Sequence, residues 1–270
     1  MGISVASEVS PAAQIRFRGV GKSYDRAAGP VLENVDLDVL TGELLAVVGP
    51  SGCGKSTLLN VVAGLTQVSE GAVELADPDL RCAYVFQSPR LLPWRSVTGN
   101  VEFALEQTGL DRTERRRRAR EALDLVNLTE HGGRYPHQLS GGMQQRAALA
   151  RGLTLEPKLL LLDEPFAALD ALTRGYLQEE LLAIVRRAGT TTILVTHDID
   201  EALLLADRVV VMSSRPARIR QLFKVPFARH EGDLDEALSH PEFVPLRHAV
   251  RALLRPDVMG PGSEPVGHRS

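Results

Sequence analysis

Short hydrophobic runs alternate with helix-like segments along most of the chain. Each run is rich in Val, Leu and Ile and ends in polar residues or glycine, as buried parallel strands do. The runs occupy residues 44–48, 84–86, 159–162, 192–195 and 209–212. Helical periodicity follows at residues 56–63, 173–187 and 199–206. The alternation predicts an α/β fold with a mostly parallel sheet, whose ligands gather at the carboxyl ends of the strands.

Two regions depart from this alternation. Residues 15–17 and 31–39 alternate apolar and polar side chains around a Gly29-Pro30 turn, which predicts an N-terminal antiparallel β subdomain. Strand signals then vanish at about 91–152, where Asp111 and Glu114 form a helix-start pattern, so we predict an inserted helical subdomain. The arginine run at 115–118 is interpreted as a solvated helix face rather than a nucleic-acid contact.

Composition narrows the class of protein. The 270 residues are 44% hydrophobic and 24% charged, which fits one globular domain or a core with a subdomain. Lys plus Arg number 31 against 34 Asp plus Glu, and this net charge of -3 does not favour nucleic acid as a partner. Two cysteines, no signal-peptide pattern and no run of about 20 apolar residues predict an intracellular chain that does not cross a membrane by itself.

A glycine-rich loop directly follows the run at 44–48. Its sequence and its place between a predicted strand and a predicted helix are those of a phosphate-binding P-loop. The predicted nucleotide-binding residues of this loop are Gly49, Pro50, Ser51, Gly52, Cys53, Gly54, Lys55, Ser56 and Thr57. Lys55 is placed for the β and γ phosphates, and the Ser56 hydroxyl for a magnesium ion. Cys53 has no neighbouring His or Cys partner in the sequence and is given no chemistry of its own.

An acidic pair supplies the second half of an ATPase site. Asp163 and Glu164 directly follow the apolar run at 159–162. Asp163 is suited to holding magnesium, and Glu164, one residue further, to acting as the general base on an attacking water.

The motif Leu139-Ser-Gly-Gly-Met-Gln-Gln-Arg146 resembles the signature motif of ABC-type ATPases and lies upstream of the acidic pair. The remaining motifs of that family have counterparts in the sequence, so the resemblance covers about residues 15–220. They are Tyr24, Gln87, the D-loop Ala168-Leu169-Asp170 and His197. The resemblance implies a P-loop NTPase core of the ABC ATPase type with ATP and Mg²⁺ as cofactors.

The resemblance also implies a role for each matching residue. Tyr24 would stack on adenine, Gln87 would link magnesium to the helical subdomain, and His197 would contact the γ-phosphate and position water. A second copy of the chain would complete each ATP site from the opposite side, giving a head-to-tail homodimer around two ATP molecules. The residues expected to act in trans are Ser140, Gly141, Gly142, Gln144 and Asp170.

Two further segments narrow the resemblance. Leu91-Leu-Pro-Trp-Arg95 and residues 241–254 are similar to importer ATPases that serve nitrate, sulfonate, taurine and related small solutes. Trp94 has two open interpretations: an exposed anchor for a cytoplasmic helix of a membrane partner, or ordinary core packing. The helical tail is expected at residues 221–256, after an ATPase domain at 13–220, and a disordered tail at 257–270.

The predicted function is therefore ATP hydrolysis that powers an ABC importer. The chain would lie at the cytoplasmic face of the membrane, bind transmembrane permease subunits, and act indirectly with a periplasmic or lipid-anchored solute-binding protein. No nucleic-acid partner is expected. The alternative is a soluble ABC-type ATPase that acts on nucleic acid or ribosomes. The acidic net charge and the absence of a long coiled-coil pattern argue against it.

Overall fold

The computed structural model describes residues 12–25, 29–227 and 234–258. Nine strands lie among them: β1 (Ala13–Lys22), β2 (Leu32–Leu40), β3 (Leu44–Val48), β4 (Glu70–Leu75), β5 (Cys82–Val85), β6 (Leu159–Asp163), β7 (Thr191–Thr196), β8 (Arg208–Met212) and β9 (Ile219–Lys224). The eight α-helices there are α1 (Lys55–Val62), α2 (Val97–Ala104), α3 (Arg112–Leu125), α4 (Gly141–Leu153), α5 (Ala171–Ala188), α6 (Ile199–Leu205), α7 (Leu234–Ser239) and α8 (Phe243–Val258).

The larger sheet contains the five strands predicted from the apolar runs. Its order is β5-β6-β7-β3-β8-β9; the first five strands are parallel to one another, and β9 pairs antiparallel with β8. β3 and β6 are buried along their whole length, as continuous apolar runs require. The carboxyl ends of β3, β6 and β7 are adjacent, so the loops after them meet at one edge of the sheet.

The N-terminal antiparallel pairing of β1 with β2 is confirmed, and it belongs to a three-stranded sheet of order β2-β1-β4. The sequence reading missed β4 and β9. Both are edge strands with mainly exposed or half-exposed side chains, so neither carries the apolar run of a central strand. β9 also crosses the boundary expected at residue 220, and residues 221–224 are strand rather than helix.

Helices α2, α3 and α4 occupy the predicted helical subdomain. The Asp111 side chain accepts a hydrogen bond from the Glu114 N–H and so caps α3, as predicted. Helices α7 and α8 occupy the region expected to be a helical tail. The disordered tail expected at 257–270 begins inside α8, and residues 259–270 lie outside the described residues.

The core has two parts, one on each side of the larger sheet. One face packs against the helical subdomain and against α5, α6 and α8. The other face packs against α1 and the three-stranded sheet. Within the described residues, no helix combines the length and apolar character needed to cross a bilayer.

Candidate nucleotide site

The P-loop joins the end of β3 to the start of α1. Gly54 is the residue before the helix and has φ of 133°, a conformation that favours glycine. A Cβ at Gly54 would lie 3.0 Å from side-chain carbons of both Val31 and Leu32. The loop therefore packs closely against the start of β2. Its backbone N–H groups lie next to the N-terminus of α1, the positive end of the helix dipole, and this arrangement suits a bound phosphate.

Lys55 lies folded over this loop. Its side chain is largely buried, and Nζ donates hydrogen bonds to the carbonyls of Gly49 at 2.8 Å and Pro50 at 3.0 Å. The ammonium group is thus fixed at the mouth of the P-loop, where a phosphate chain would meet it.

Ser56 and Asp163 come together as the sequence predicts. The Ser56 hydroxyl donates a 3.0 Å hydrogen bond to Asp163 Oδ1 across the gap between α1 and β6. Burial raises the pKa of Asp163, whereas the Ser56 hydrogen bond and the charge of Lys55 oppose that rise. Two adjacent oxygen donors beside a phosphate site fit Mg²⁺, which takes few protein ligands and completes its shell with phosphate and water.

The side chains of Gln87 and His197 both approach one carboxylate oxygen of Glu164. Glu164 Oε2 accepts a 3.1 Å hydrogen bond from Gln87 Nε2 and lies 3.2 Å from His197 Nδ1. Glu164 has φ of 47°, a left-handed backbone conformation that a non-glycine residue rarely adopts. Strain of this kind clusters at functional sites, because the surrounding structure must hold it in place. Gln87 thus contacts the predicted base, a pairing that the sequence reading did not anticipate.

Tyr24 lies beside the start of α1 with its ring exposed. Its hydroxyl is 3.5 Å from Thr57 Oγ1, and Lys22 Nζ lies 4.9 Å from the ring centroid. The ring is therefore available for stacking next to the P-loop.

The signature residues are placed at the start of α4, on the surface. Ser140 caps α4 by accepting a hydrogen bond from the Met143 N–H, and Gly141 has open space around its Cα. A Cβ at Gly142 would lie 3.2 Å from the Ala168 carbonyl, so this glycine permits contact with the D-loop of the same chain. Gln144 donates instead to the Pro136 carbonyl at 3.0 Å.

Asp170 likewise caps its own helix. Its carboxylate accepts a 3.0 Å hydrogen bond from the Thr173 N–H at the start of α5, and this bond lowers the pKa of Asp170. These hydrogen bonds of Ser140, Gln144 and Asp170 join residues close in the chain and do not reach the P-loop. Their predicted role in a second copy's ATP site stays a prediction.

Two side chains of α4, whose role was not predicted from the sequence, hold the segment around Gln87. Gln145 Nε2 donates to the Phe86 carbonyl at 3.3 Å, and Arg151 donates to the carbonyls of Pro89 and Arg90 at 3.0 and 2.9 Å. They secure the backbone on both sides of Gln87 to the helix that begins at the signature motif. Bonds from side chains to distant backbone carbonyls leave no motif in a sequence, so no sequence signal indicated them.

Comparison with known proteins identifies the family of the chain. The family model described as "ABC transporter" matches residues 32–167. The nitrate import ATP-binding protein NrtC of Synechococcus elongatus is 49% identical over 81% of this chain, although this chain spans only 34% of NrtC. The taurine import ATP-binding protein TauB of Chromobacterium violaceum is 47% identical over 86% of this chain and 92% of TauB.

Solved structures show the same fold. The dimeric ATP-binding cassette MJ0796 bound to ADP and Pi superimposes with a TM-score of 0.71 at 32% identity, covering 78% of this chain and 98% of that one. The predicted fold class is therefore confirmed. The chain belongs to the ABC transporter family, as one of its ATP-binding and ATP-hydrolysing cassettes.

Proposed function

We propose that this chain powers an ABC importer for a small solute such as nitrate, taurine or another sulfonate. The observation that supports ATP hydrolysis as the driving reaction is the convergence of Gln87, Glu164 and His197 beside the Ser56–Asp163 pair. The relatives named for nitrate and taurine import support the transport assignment. No comparison favours the soluble alternative that acts on nucleic acid or ribosomes.

In the proposed reaction, the P-loop backbone and Lys55 bind the phosphates and stabilise the charge that builds up during γ-phosphoryl transfer. Ser56 and Asp163 would hold Mg²⁺, which neutralises phosphate charge when bound. Glu164 accepts a proton from the attacking water, whose oxygen forms the new bond to γ-phosphorus while the bond to the ADP oxygen breaks. His197 Nδ1 lies 3.2 Å from Glu164 Oε2. From this position the imidazole positions the water and contacts the γ-phosphate.

A second copy would complete the site. Ser140 and Gly141 lie exposed at the N-terminus of α4, where the helix dipole favours an anion brought by a partner. The dimeric cassette MJ0796 supports this arrangement. ATP bound between two such faces would favour a closed dimer and thereby shift the permease between two states.

Mixing two damaged variants tests the dimer. Lys55→Ala damages the P-loop, and Gly141→Asp places a negative charge where the second copy's phosphate would sit, in space that the fold leaves open. At an ATP concentration near the wild-type Kd, each variant alone should lose most of its phosphate release. Their equimolar mixture should regain about a quarter of wild-type activity, because half the dimers contain one intact composite site. A mixture as inactive as its parts would contradict the shared site.

Trp94 supports a docking surface for the permease. It is 71% exposed, so within this chain the core-packing interpretation is wrong. Arg95 follows Trp94 in the chain and lies 4.8 Å from the ring centroid of Phe103, a second exposed aromatic. Trp and Arg are the residue types enriched at binding hot spots. Trp94→Ala should uncouple solute uptake while basal ATP hydrolysis remains.

Transport itself is tested in the native host. Tagged Glu164→Gln protein, captured from membranes with ATP and magnesium, should bring down a polytopic permease at the cytoplasmic face. A strain without the chain should lose uptake of labelled nitrate, taurine or an alkanesulfonate, and wild type but not Glu164→Gln should restore it. Unchanged uptake of all three, with only soluble proteins captured, would contradict the importer assignment and leave the ATPase in place.

A further inference from the structure

A buried carboxylate outside the predicted motifs lies directly behind His197. Glu201, in the first turn of α6, is 6% exposed. One of its oxygens accepts a short hydrogen bond from the Thr196 hydroxyl, and the other accepts a 3.2 Å bond from Gln178 Nε2. A buried carboxylate costs free energy unless such donors satisfy it, so Glu201, Thr196 and Gln178 depend on one another for their positions.

These bonds fix the turn that carries His197. The same Thr196 hydroxyl accepts a 3.0 Å hydrogen bond from the Asp198 N–H, so one oxygen bridges the residues on either side of His197. Asp198 in turn caps α6 by accepting bonds from the N–H groups of Asp200 at 2.9 Å and Glu201 at 3.2 Å. The backbone on both sides of the imidazole is therefore tied to the first turn of α6, whereas the imidazole itself stays exposed.

The support reaches a second helix. Gln178 and Arg174 stand one turn apart on α5, the helix that begins at Asp170. Arg174 donates to the Leu169 carbonyl of the D-loop at 3.0 Å, and its guanidinium lies 3.7 Å from the Asp198 carboxylate. Arg174, Glu201, His197 and Glu164 also line one small cavity of about 50 Å³. Arg174 thus joins the turn of His197 to the D-loop, and Gln178 joins Glu201 to α5.

We propose that Glu201 is a positioning residue for His197, acting through Thr196 and Gln178 to hold the imidazole against Glu164. The proposal rests on the proposed function, because Glu201 acts only through His197 and His197 has its role in ATP hydrolysis. Glu201 itself is assigned no contact with ATP. Displacing a positioned group by about 1 Å can cost up to a hundredfold in rate. Side chains that orient metal-ligating histidines have comparable effects, of roughly tenfold to a hundredfold.

The replacement of Glu201 by Ala removes both acceptor oxygens and leaves the Thr196 hydroxyl and the Gln178 amide facing a void. Glu201→Gln keeps the volume and one carbonyl acceptor, and rotation of the Gln178 amide restores the second bond. We therefore expect Glu201→Ala to lower kcat about tenfold to a hundredfold with nucleotide affinity near the wild-type value, and Glu201→Gln to recover most of the loss.

A double-mutant cycle with His197→Ala tests the proposal on the full chain, with single-turnover phosphate release and nucleotide binding measured for each protein. The loss caused by Glu201→Ala in the wild-type background should disappear in the His197→Ala background. Gln178→Met approaches the network from its other end and serves if Glu201→Ala does not fold. Glu179→Ala, an exposed neighbour of Gln178, is the matched control and should leave turnover unchanged.

An equal fold-loss in both backgrounds, or no loss in either, would overturn the positioning role while leaving the proposed function standing. A wild-type chain that binds ATP but releases no phosphate would instead overturn the proposed function, and the positioning role with it.

Discussion

The carboxylates at the strand ends and those along α3 differ in what surrounds them. Asp163 and Glu201 are buried near the ends of β6 and β7, and burial raises the pKa of each. Glu114 lies on the surface of α3, where hydrogen bonds from Arg117 and Arg118 lower its pKa to about 2. Water already solvates a surface ion pair well, so such a pair contributes little to stability. The strand-end carboxylates are buried despite an energetic cost, which is typical of groups that do chemistry or position the groups that do.

The largest expected effect lies at the strand ends. Glu164→Gln removes the proton acceptor and leaves its shape, so turnover should fall about a hundredfold to ten-thousandfold while ATP binding changes little. Steady-state phosphate release and a nucleotide-binding titration measure the two effects. Glu179→Gln, on the exposed face of α5, should match wild type in both. Unchanged turnover in Glu164→Gln would remove that residue from its role as base.

A smaller loss is expected at the P-loop. Lys55→Ala removes a cation fixed over the phosphate site, and a charged hydrogen-bond group contributes about 1.5–3 kcal/mol, so ATP affinity should fall roughly tenfold to 150-fold. The affinity for adenosine, which has no phosphate, should stay at the wild-type value. Equal losses for ATP and adenosine would indicate damage to the fold instead.

A substitution in the helical subdomain should lower the stability of the protein rather than its turnover. Asn100 is fully buried and holds the Trp94 loop, accepting from the Leu92 N–H and donating to the carbonyls of Leu92, Arg95 and Ser96. Asn100→Ala should destabilise the protein by about 2 kcal/mol, because buried groups lose their partner. That corresponds to a fall in Tm of roughly 4–8 °C.

The exposed Gln107→Ala in the same subdomain is the control and should melt with wild type. An unchanged Tm for Asn100→Ala would show that water replaces the lost bonds and that Asn100 does not hold the loop.

The smallest effect is expected on α3. The lowered pKa of Glu114 contributes stability above its ordinary value of 4.5, and that contribution is lost as the pH falls from there towards 2. Glu114→Gln should therefore lie within about 2 °C of the wild-type Tm at pH 7, and the difference should shrink at low pH and at high salt. A larger difference that persists in high salt would contradict the view of this helix as a solvated face.

The sequence predicts the strand ends well because continuous apolar strands end there in glycine or acids. β3 with the P-loop and β6 with Asp163 and Glu164 need only the local sequence to be recognised. β4 and β9 were missed because an edge strand buries little. The supports of the site, Arg151 behind Gln87 and Glu201 behind His197, were missed because the contacts that define them join segments far apart in the chain.

The orientation of the Trp94 side chain could not be predicted from the sequence. A single aromatic in an irregular segment can pack inwards or outwards, and in the structure Trp94 lies exposed on a loop that Asn100 holds by hydrogen bonds.

We infer that the strand-end site hydrolyses ATP and that Glu164 acts in hydrolysis rather than in binding. The direct test is the identity of the nucleotide bound after incubation with labelled ATP and magnesium, in wild type and in Glu164→Gln. We expect mainly ADP in wild type and mainly ATP in Glu164→Gln, at equal occupancy. The same ADP fraction in both proteins, or ATP left unchanged in wild type, would contradict this inference.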